Sequence, residues 1–188
     1  MRIEKLKQNY HVKINIVPYP LNPDIKPAGM TLEEIFEDRD IDIPAMKARM
    51  KKLMDEEGLP YGDREMVYNS RLAQELTRWA DSVDSAKAKK LHESLFVKYF
   101  VDKQDINSID VLVKTATEAA LDAVEARKVL TERTFKDKVS ADWQQARLLG
   151  LTGVPAFVID RQGVVGAQPY EVLEQLIVAA GAVRKTAP

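Results

Sequence analysis

Gly150-Leu-Thr-Gly-Val-Pro-Ala-Phe-Val-Ile-Asp-Arg-Gln-Gly-Val-Val-Gly-Ala-Gln-Pro-Tyr170 is the stretch whose reading decides the fold. Gly150 closes a helical pattern, because glycine takes the left-handed conformation after a last turn without a Cβ clash. Ala156 to Ile159 is a short apolar, partly β-branched run, suited to a strand buried on both faces. Pro155 stands at its start, where a missing N–H does least harm to a ladder. Asp160-Arg-Gln-Gly163 reads as a hairpin turn with glycine at the position needing positive φ. Val164 and Val165 begin the return strand, and Pro169 opens a helix in its first turn. The order is helix, strand, tight hairpin, strand, helix.

The totals bound the rest. The chain has 188 residues, 45% hydrophobic and 30% charged, with a formal net charge of −1. That describes a folded chain with an ample core and gives no electrostatic reason to expect nucleic acid or acidic lipid as partner. No apolar run reaches the length of a membrane span, and the N-terminus lacks the apolar core of a signal peptide, so the expected address is the cytoplasm. There is no cysteine, which rules out thiol chemistry and thiolate metal sites by this polypeptide itself. The two histidines, His11 and His92, are far apart and read as surface or packed residues rather than catalysts. No metal site is expected.

Outward from the hairpin, the N-terminal side begins with a helical spacing, Ile3, Leu6 and Tyr10. His11 to Val17 then alternates, with Val12, Ile14 and Ile16 on one side, and is expected to be a half-buried strand. Pro18 to Pro23 stops it. From Thr31 the pattern is helical for over a hundred residues. Thr31 and Glu34 form a capping box. A helix from Pro44 carries Met46, Met50, Leu53 and Met54 on one stripe and ends at Gly58. The plain reading packs that stripe against neighbouring helices, and the alternative is an adaptable binding surface. Asn69 or Ser70 caps the next helix, Ser85 the one after, and further helices run from about Ser108, from Asp122 and from Phe135 to Leu149. A closing helix spans Pro169 to Ala180, followed by a tail expected to be frayed.

Two strands far apart in sequence but sharing one sheet make the helical block an insertion. The expected organisation is an α/β, thioredoxin-like domain from residues 1–30 and 150–188, with part of the 131–149 helix, and an all-helical insertion from 31–149. Several stretches together resemble a known family: Val17-Pro-Tyr-Pro-Leu-Asn-Pro23, Asn69-Ser-Arg-Leu-Ala73, Tyr99-Phe-Val-Asp102 with Asp105-Ile106, Gly150 to Ile159, and Gly166-Ala-Gln-Pro169. They resemble the DsbA family, and within it the FrnE-like branch, related to 2-hydroxychromene-2-carboxylate isomerases and kappa-class glutathione transferases. The residues alone favour a trans bond before Pro155, since only about 5–6% of X–Pro bonds are cis. The resemblance implies a cis-proline loop at Gly153-Val154-Pro155.

The resemblance also implies a departure. Family members begin with a central strand and a Cys-x-x-Cys motif at the start of the first helix, the N-terminal cysteine being the nucleophile. This sequence is expected to start after that point, whether by nature, by a misassigned start or as a shortened polypeptide. The missing strand would lie between His11–Val17 and Ala156–Ile159, so the sheet is expected to close up or to take a strand from another chain, which leaves a homodimer open. What remains is the binding half of a site. Val154 would pair its backbone with an extended peptide or a glutathione-like ligand, beside Gly153 and Pro155. Asn69 reads equally as an N-cap and as a ligand contact, and Gln168 as a cap or a ligand contact. Arg71 reads as a surface ion-pair residue.

Three functions follow from the resemblance. The first is a thiol–disulfide oxidoreductase whose dithiol is absent from this chain, inactive alone, with no cofactor of its own. The second is a redox-dead module binding peptide or glutathione. The third, a glutathione-dependent isomerase or transferase, requires an N-terminal serine or cysteine that this chain lacks.

Overall fold

The computed structural model describes residues 2–186. The chain divides into two compact units, Met1–Leu21 with Ala141–Pro188, and Asn22–Ser140. The first boundary therefore falls at 21/22 rather than 30/31, and the second, at 140/141, lies inside the 131–149 helix, part of which was expected in the first unit.

The first unit contains α1 (Arg2–Asn9) and, from the C-terminal part of the chain, β3 (Ala156–Ile159), β4 (Gln162–Val165) and α9 (Tyr170–Ala179). Its core is Leu6 and Tyr10 against Leu173 and Ile177, with Phe157, Ile159 and Val164 laid on them. The alternation of the strand produces this arrangement, since Phe157 and Ile159 share one face. All four β3 residues stay half-buried, so the expectation of burial on both faces is corrected. A small polar network joins the helices: Asn9 Nδ2 donates to Tyr170 Oη at 2.8 Å, and Tyr10 Oη donates to Glu174 Oε1 at 2.9 Å. That bond to the carboxylate raises the Tyr10 pKa above the ordinary phenol value.

His11–Val17 is not a strand. It makes no ladder, and Ile14 is 41% exposed. The alternation that suggests a strand is present, but the backbone at its start bonds elsewhere. Tyr10 bridges Arg184, His11 N–H donates to Val183 O at 2.9 Å, and Lys185 N–H donates to Asn9 O at 2.8 Å. These bonds also correct the frayed tail, since residues 183–185 are tied down. Only Val12 of the segment joins the Phe157–Ile159 cluster. The sheet has thus not closed up.

The second unit holds β1 (Met30–Thr31), α2 (Leu32–Ile35), α3 (Ile43–Glu56), β2 (Met66–Val67), α4 (Arg71–Val83), α5 (Ser85–Phe100), α6 (Ile109–Glu118) and α7 (Ala123–Glu132). Between the units in sequence, α8 (Lys136–Leu148) crosses the boundary. The core is built from the apolar stripes of α4 to α7, with Leu76, Ala80, Leu91, Leu112, Ala116 and Leu130 almost fully buried. Local chemistry sets the helix starts. Thr31 Oγ1 accepts from Glu34 N–H at 3.1 Å while Glu34 Oε2 accepts from Thr31 N–H at 2.7 Å, a complete capping box. Asp84, not Ser85, caps α5, its Oδ1 accepting from Ala86 and Lys87 N–H. A carboxylate there also complements the positive end of the helix. The unit is not all-helical, since β1 and β2 pair antiparallel, Met30 opposite Val67 and Thr31 opposite Met66. Two-residue strands carry no periodicity from which to read them.

The methionine stripe is the other correction. α3 buries none of its residues. Ile43 and Met46 pack against Ile25, Leu32 and Val67, but Met50 and Leu53 remain open to solvent.

Candidate functional site

The loop before β3 is held from both sides. α8 ends at Leu148, and Gly150 has φ +66°, the left-handed region that glycine enters freely. Gly150 N–H donates to Arg147 O at 2.9 Å and Leu151 N–H to Ala146 O at 3.1 Å, which satisfies the last carbonyls of the helix. Tyr19 Oη donates to Leu151 O at 3.1 Å and fixes the loop from the N-terminal segment. Thr152 to Pro155 follow, and the Val154–Pro155 peptide bond is cis. The contact of Tyr19 is not visible in the sequence. The residue lies inside the Val17–Pro23 stretch, but nothing local shows that its hydroxyl reaches a carbonyl 132 residues away.

The hairpin then sets the register. β3 and β4 pair antiparallel, with Ile159 opposite Gln162 and Phe157 opposite Val164. The two-residue connection is Asp160-Arg161, and the residue with positive φ is Asp160 at +54°. Gly163 is therefore a strand residue, not the turn residue expected. A Cβ there would lie 2.9 Å from Phe157 O and 3.1 Å from Val158 Cγ2, so closeness to β3 is what demands glycine.

A two-residue hairpin makes Ile159–Gln162 a hydrogen-bonded pair, and alternation then assigns Phe157–Val164 to the same class. Gly166 N–H donating to Pro155 O at 2.7 Å continues that series. Ala156 and Val158 consequently turn their N–H and C=O groups to the opposite edge. No other strand pairs there among the described residues. Val154, just before the strand, is 48% exposed, and its N–H and C=O have no hydrogen-bond partner among the described residues. From Leu151 to Ile159 there is no charged side chain. Nor does any lysine or bulge blunt this edge. The backbone of Val154 is thus free, in neutral and apolar surroundings, to hydrogen-bond an extended backbone.

The remaining expected site residues fall as follows. Gly153 is half-buried at the start of the loop, and a Cβ on it would meet only Val165 Cγ1, at an ordinary 3.7 Å. Gln168 does not cap α9, whose N-cap is Pro169 with no side-chain bond. Its Nε2 instead donates to Val165 O at 2.6 Å, which ties the loop after β4 to the hairpin. Asn69 belongs to the helical unit. Its Nδ2 donates to Ile25 O at 2.9 Å and its Oδ1 accepts from Arg71 N–H at 2.9 Å, so it fastens an irregular segment to the first turn of α4.

Arg71 is no surface residue. Its Nε donates to Glu75 Oε1 at 2.9 Å, and its Nη2 donates to Lys136 O and Ser140 Oγ. Glu75 is fully buried and is also gripped by Arg133, Nε to Oε2 and Nη2 to Oε1, each at 2.7 Å. Burial pushes the Glu75 pKa up, but the bonds from Arg133 and then Arg71 outweigh it, and the net shift is downward. This is an ion triad built on one buried carboxylate. His92 is half-buried, and that burial lowers its pKa, with Asp81 acting against it. Among the described residues there is no group of three or more His, Cys, Asp or Glu that could hold a metal. A depression of about 600 Å³ on the helical unit, lined by Glu33, Ile43, Lys47, Tyr61 and Asp63 among others, is wide open and holds no nucleophile–base pair.

The first unit thus presents a cis-proline loop leading into a hairpin strand and followed by a C-terminal helix. Residues 1–178 match the DSBA-like thioredoxin domain. The chain belongs to the DSBA-like family. It is also 30% identical over 92 residues to YwbO, an uncharacterized protein of Bacillus subtilis (strain 168). That match covers 48% of this chain and 46% of YwbO, so the chain spans under half the length of this curated relative. Among solved structures it resembles a "putative protein disulfide isomerase" from Nitrosomonas europaea, with a TM-score of 0.65 and 16% identity over 82% of this chain and 77% of that one. At that identity the likeness speaks for the fold alone. The DSBA-like fold, with its large helical content, is thus the fold of this chain.

Proposed function

We propose that this chain carries the substrate-docking part of a thiol–disulfide oxidoreductase of the FrnE-like branch, and that it is inactive in dithiol exchange by itself. The observation that carries the docking half is the backbone of Val154, exposed and without a hydrogen-bond partner among the described residues, beside the cis Val154–Pro155 bond. An extended peptide, or the peptide-like backbone of glutathione, adds to such a backbone as a further strand. Main-chain bonds provide the affinity, and the uncharged surroundings favour apolar or neutral segments. Gly153, Pro155 and Gln168 serve this contact by fixing the loop on which Val154 sits.

The inactive half rests on composition. Disulfide exchange begins with attack by a thiolate on a disulfide sulfur, and these 188 residues include no cysteine. No cofactor is assigned, and the cytoplasm is the proposed address. No helix of the described residues is long and apolar enough to cross a membrane.

An insulin-reduction assay with dithiothreitol tests the first half, and the expected rate is that of the protein-free blank. Turnover above the blank by this polypeptide refutes it. Calorimetric titration with a neutral extended peptide and with reduced glutathione tests the second half, with dissociation constants on the order of 10⁻⁴ to 10⁻³ M expected for so short a strand addition. Absence of binding by both probes at millimolar concentration refutes it.

The same edge also favours a second reading, a module that binds peptide or glutathione with no redox role at all. Binding without any gain in exchange rate when a separate dithiol protein is supplied selects that reading.

A further inference from the structure

α3 is a helix without a home for half of its apolar stripe. It has fourteen residues and none is buried. Its first turn is anchored, by Asp42 Oδ1 accepting from Ala45 N–H at 2.9 Å and by Ile43 and Met46 on the Ile25–Leu32–Val67 cluster. Past Met46 the stripe continues uncovered, with Met50 43% and Leu53 46% exposed. Residues 46, 50 and 53 are spaced four and three apart, the seam of a helix that pairs with another helix.

The two flanks of this seam differ in charge. On one side Lys47 is held by Asp63, and Lys51 by Asp55 at 2.8 Å, so both cations already have carboxylates. On the other side stand Arg49 and Glu56. Arg49 has no carboxylate partner among the described residues, and Glu56 has only Lys52, at 3.9 Å. Seven residues of helix separate Arg49 from Glu56 by roughly 10 Å along the axis. They lie on the same side but do not meet within one chain.

We infer that α3 docks on α3 of a second copy, antiparallel, with Met50 of each copy against Leu53 of the other and Arg49 of each against Glu56 of the other. A two-fold axis through the seam near residue 52 brings the apolar contacts and both charge pairs together at once. A parallel pair puts Arg49 opposite the Met54 position instead and leaves it without a carboxylate. The self-complementary charge order is what selects a second copy over a foreign apolar segment. Methionine suits such a seam because its side chain adapts to the facing surface. The contact is small against the roughly 800 Å² per partner of a standard interface, so the dimer is weak, with a dissociation constant on the order of 10⁻⁴ M. This inference is independent of the peptide-docking edge.

Sedimentation equilibrium of the full chain from about 10 µM to about 1 mM tests it, with circular dichroism as the control for folding. The expected result is a reversible dimer. Leu53→Glu raises its dissociation constant at least about tenfold, and Arg49→Glu raises it about fivefold. The double variant Arg49→Glu/Glu56→Arg returns it to within about twofold of the parent, because the charge pairs are re-formed across the two-fold axis. All these positions are exposed, so the fold is retained. A monomer throughout the range, a dimer indifferent to Leu53→Glu, or a charge swap that fails to restore dimerisation overturns the inference. So does a monomeric parent whose Met50 methyl resonance shifts on adding an amphipathic Leu/Lys helical peptide, which assigns the face to a foreign helix.

Discussion

Replacing Glu75 by glutamine removes one charge from the core while keeping the side chain's shape. The carboxylate is fully buried and accepts three hydrogen bonds, one from Arg71 and two from Arg133. Glutamine can accept with one oxygen only, and its amide N–H₂ then faces guanidinium donors. Breaking a buried ion pair by removing one partner costs about 3–5 kcal/mol. Arg133 keeps 39% of its side-chain surface in water and Arg71 14%, so part of the stranded charge regains hydration. An expected loss of about 3 kcal/mol follows, or a fall in Tm of about 10 °C. The assay is urea unfolding followed by Trp79, which sits in the same core, in a Trp143→Phe background so that a single indole reports. The pH dependence gives a second readout. The folded-state pKa of Glu75 lies below its unfolded value, so its contribution is present in full above the unfolded value and is lost as pH falls through the folded one. The gap between parent and Glu75→Gln therefore holds steady from neutral pH down to the ordinary carboxylate range, and narrows only below it. A cost under about 1 kcal/mol, or a gap that has already closed at pH 5, would refute the reasoning, since either means burial and not the two arginines governs this carboxyl.

Other perturbations test other joints of the fold. Thr31→Ala removes one half of the capping box on α2 and should lower stability by about 1 kcal/mol in urea denaturation, with Thr31→Ser nearly neutral. Gly163→Ala places a methyl 2.9 Å from the Phe157 carbonyl oxygen and should cost about 1–3 kcal/mol, seen as faster hydrogen exchange at Phe157 and Ile159. Ile14→Thr changes a half-exposed side chain outside any ladder and should stay within about 0.5 kcal/mol of the parent, as surface substitutions do.

What was legible in the sequence was local. The capping box at Thr31 and Glu34, the helix start at Asp122 and the glycine stop at Gly150 each depend on atoms within a few residues, and all stand where the residues indicate. Pairings between distant parts were not legible. Alternation at Val12, Ile14 and Ile16 describes a backbone suited to a strand, but a strand also needs a neighbour. The neighbouring segment took its first residues to Val183–Lys185 instead. Glu75 and Arg133 lie 58 residues apart, with nothing in either helix to announce the bond. In the candidate site, Val154 and Pro155 were readable through the family's motif, whereas the direction of the Ala156 and Val158 backbone groups followed only from the hairpin register. Asp160 displaced Gly163 from the turn because a two-residue connection places the left-handed residue directly after the strand.

The most direct measurement is amide exchange along β3 with and without a bound extended peptide. Val154 N–H has no partner among the described residues, Ala156 and Val158 direct theirs away from β4, and Phe157 and Ile159 direct theirs to β4. Peptide addition should slow exchange at Val154 by at least about tenfold and leave Phe157 and Ile159 unchanged. Uniform slowing of all five, or no change at Val154 while peptide is bound, would show that the ligand sits elsewhere and that this edge is not the docking site.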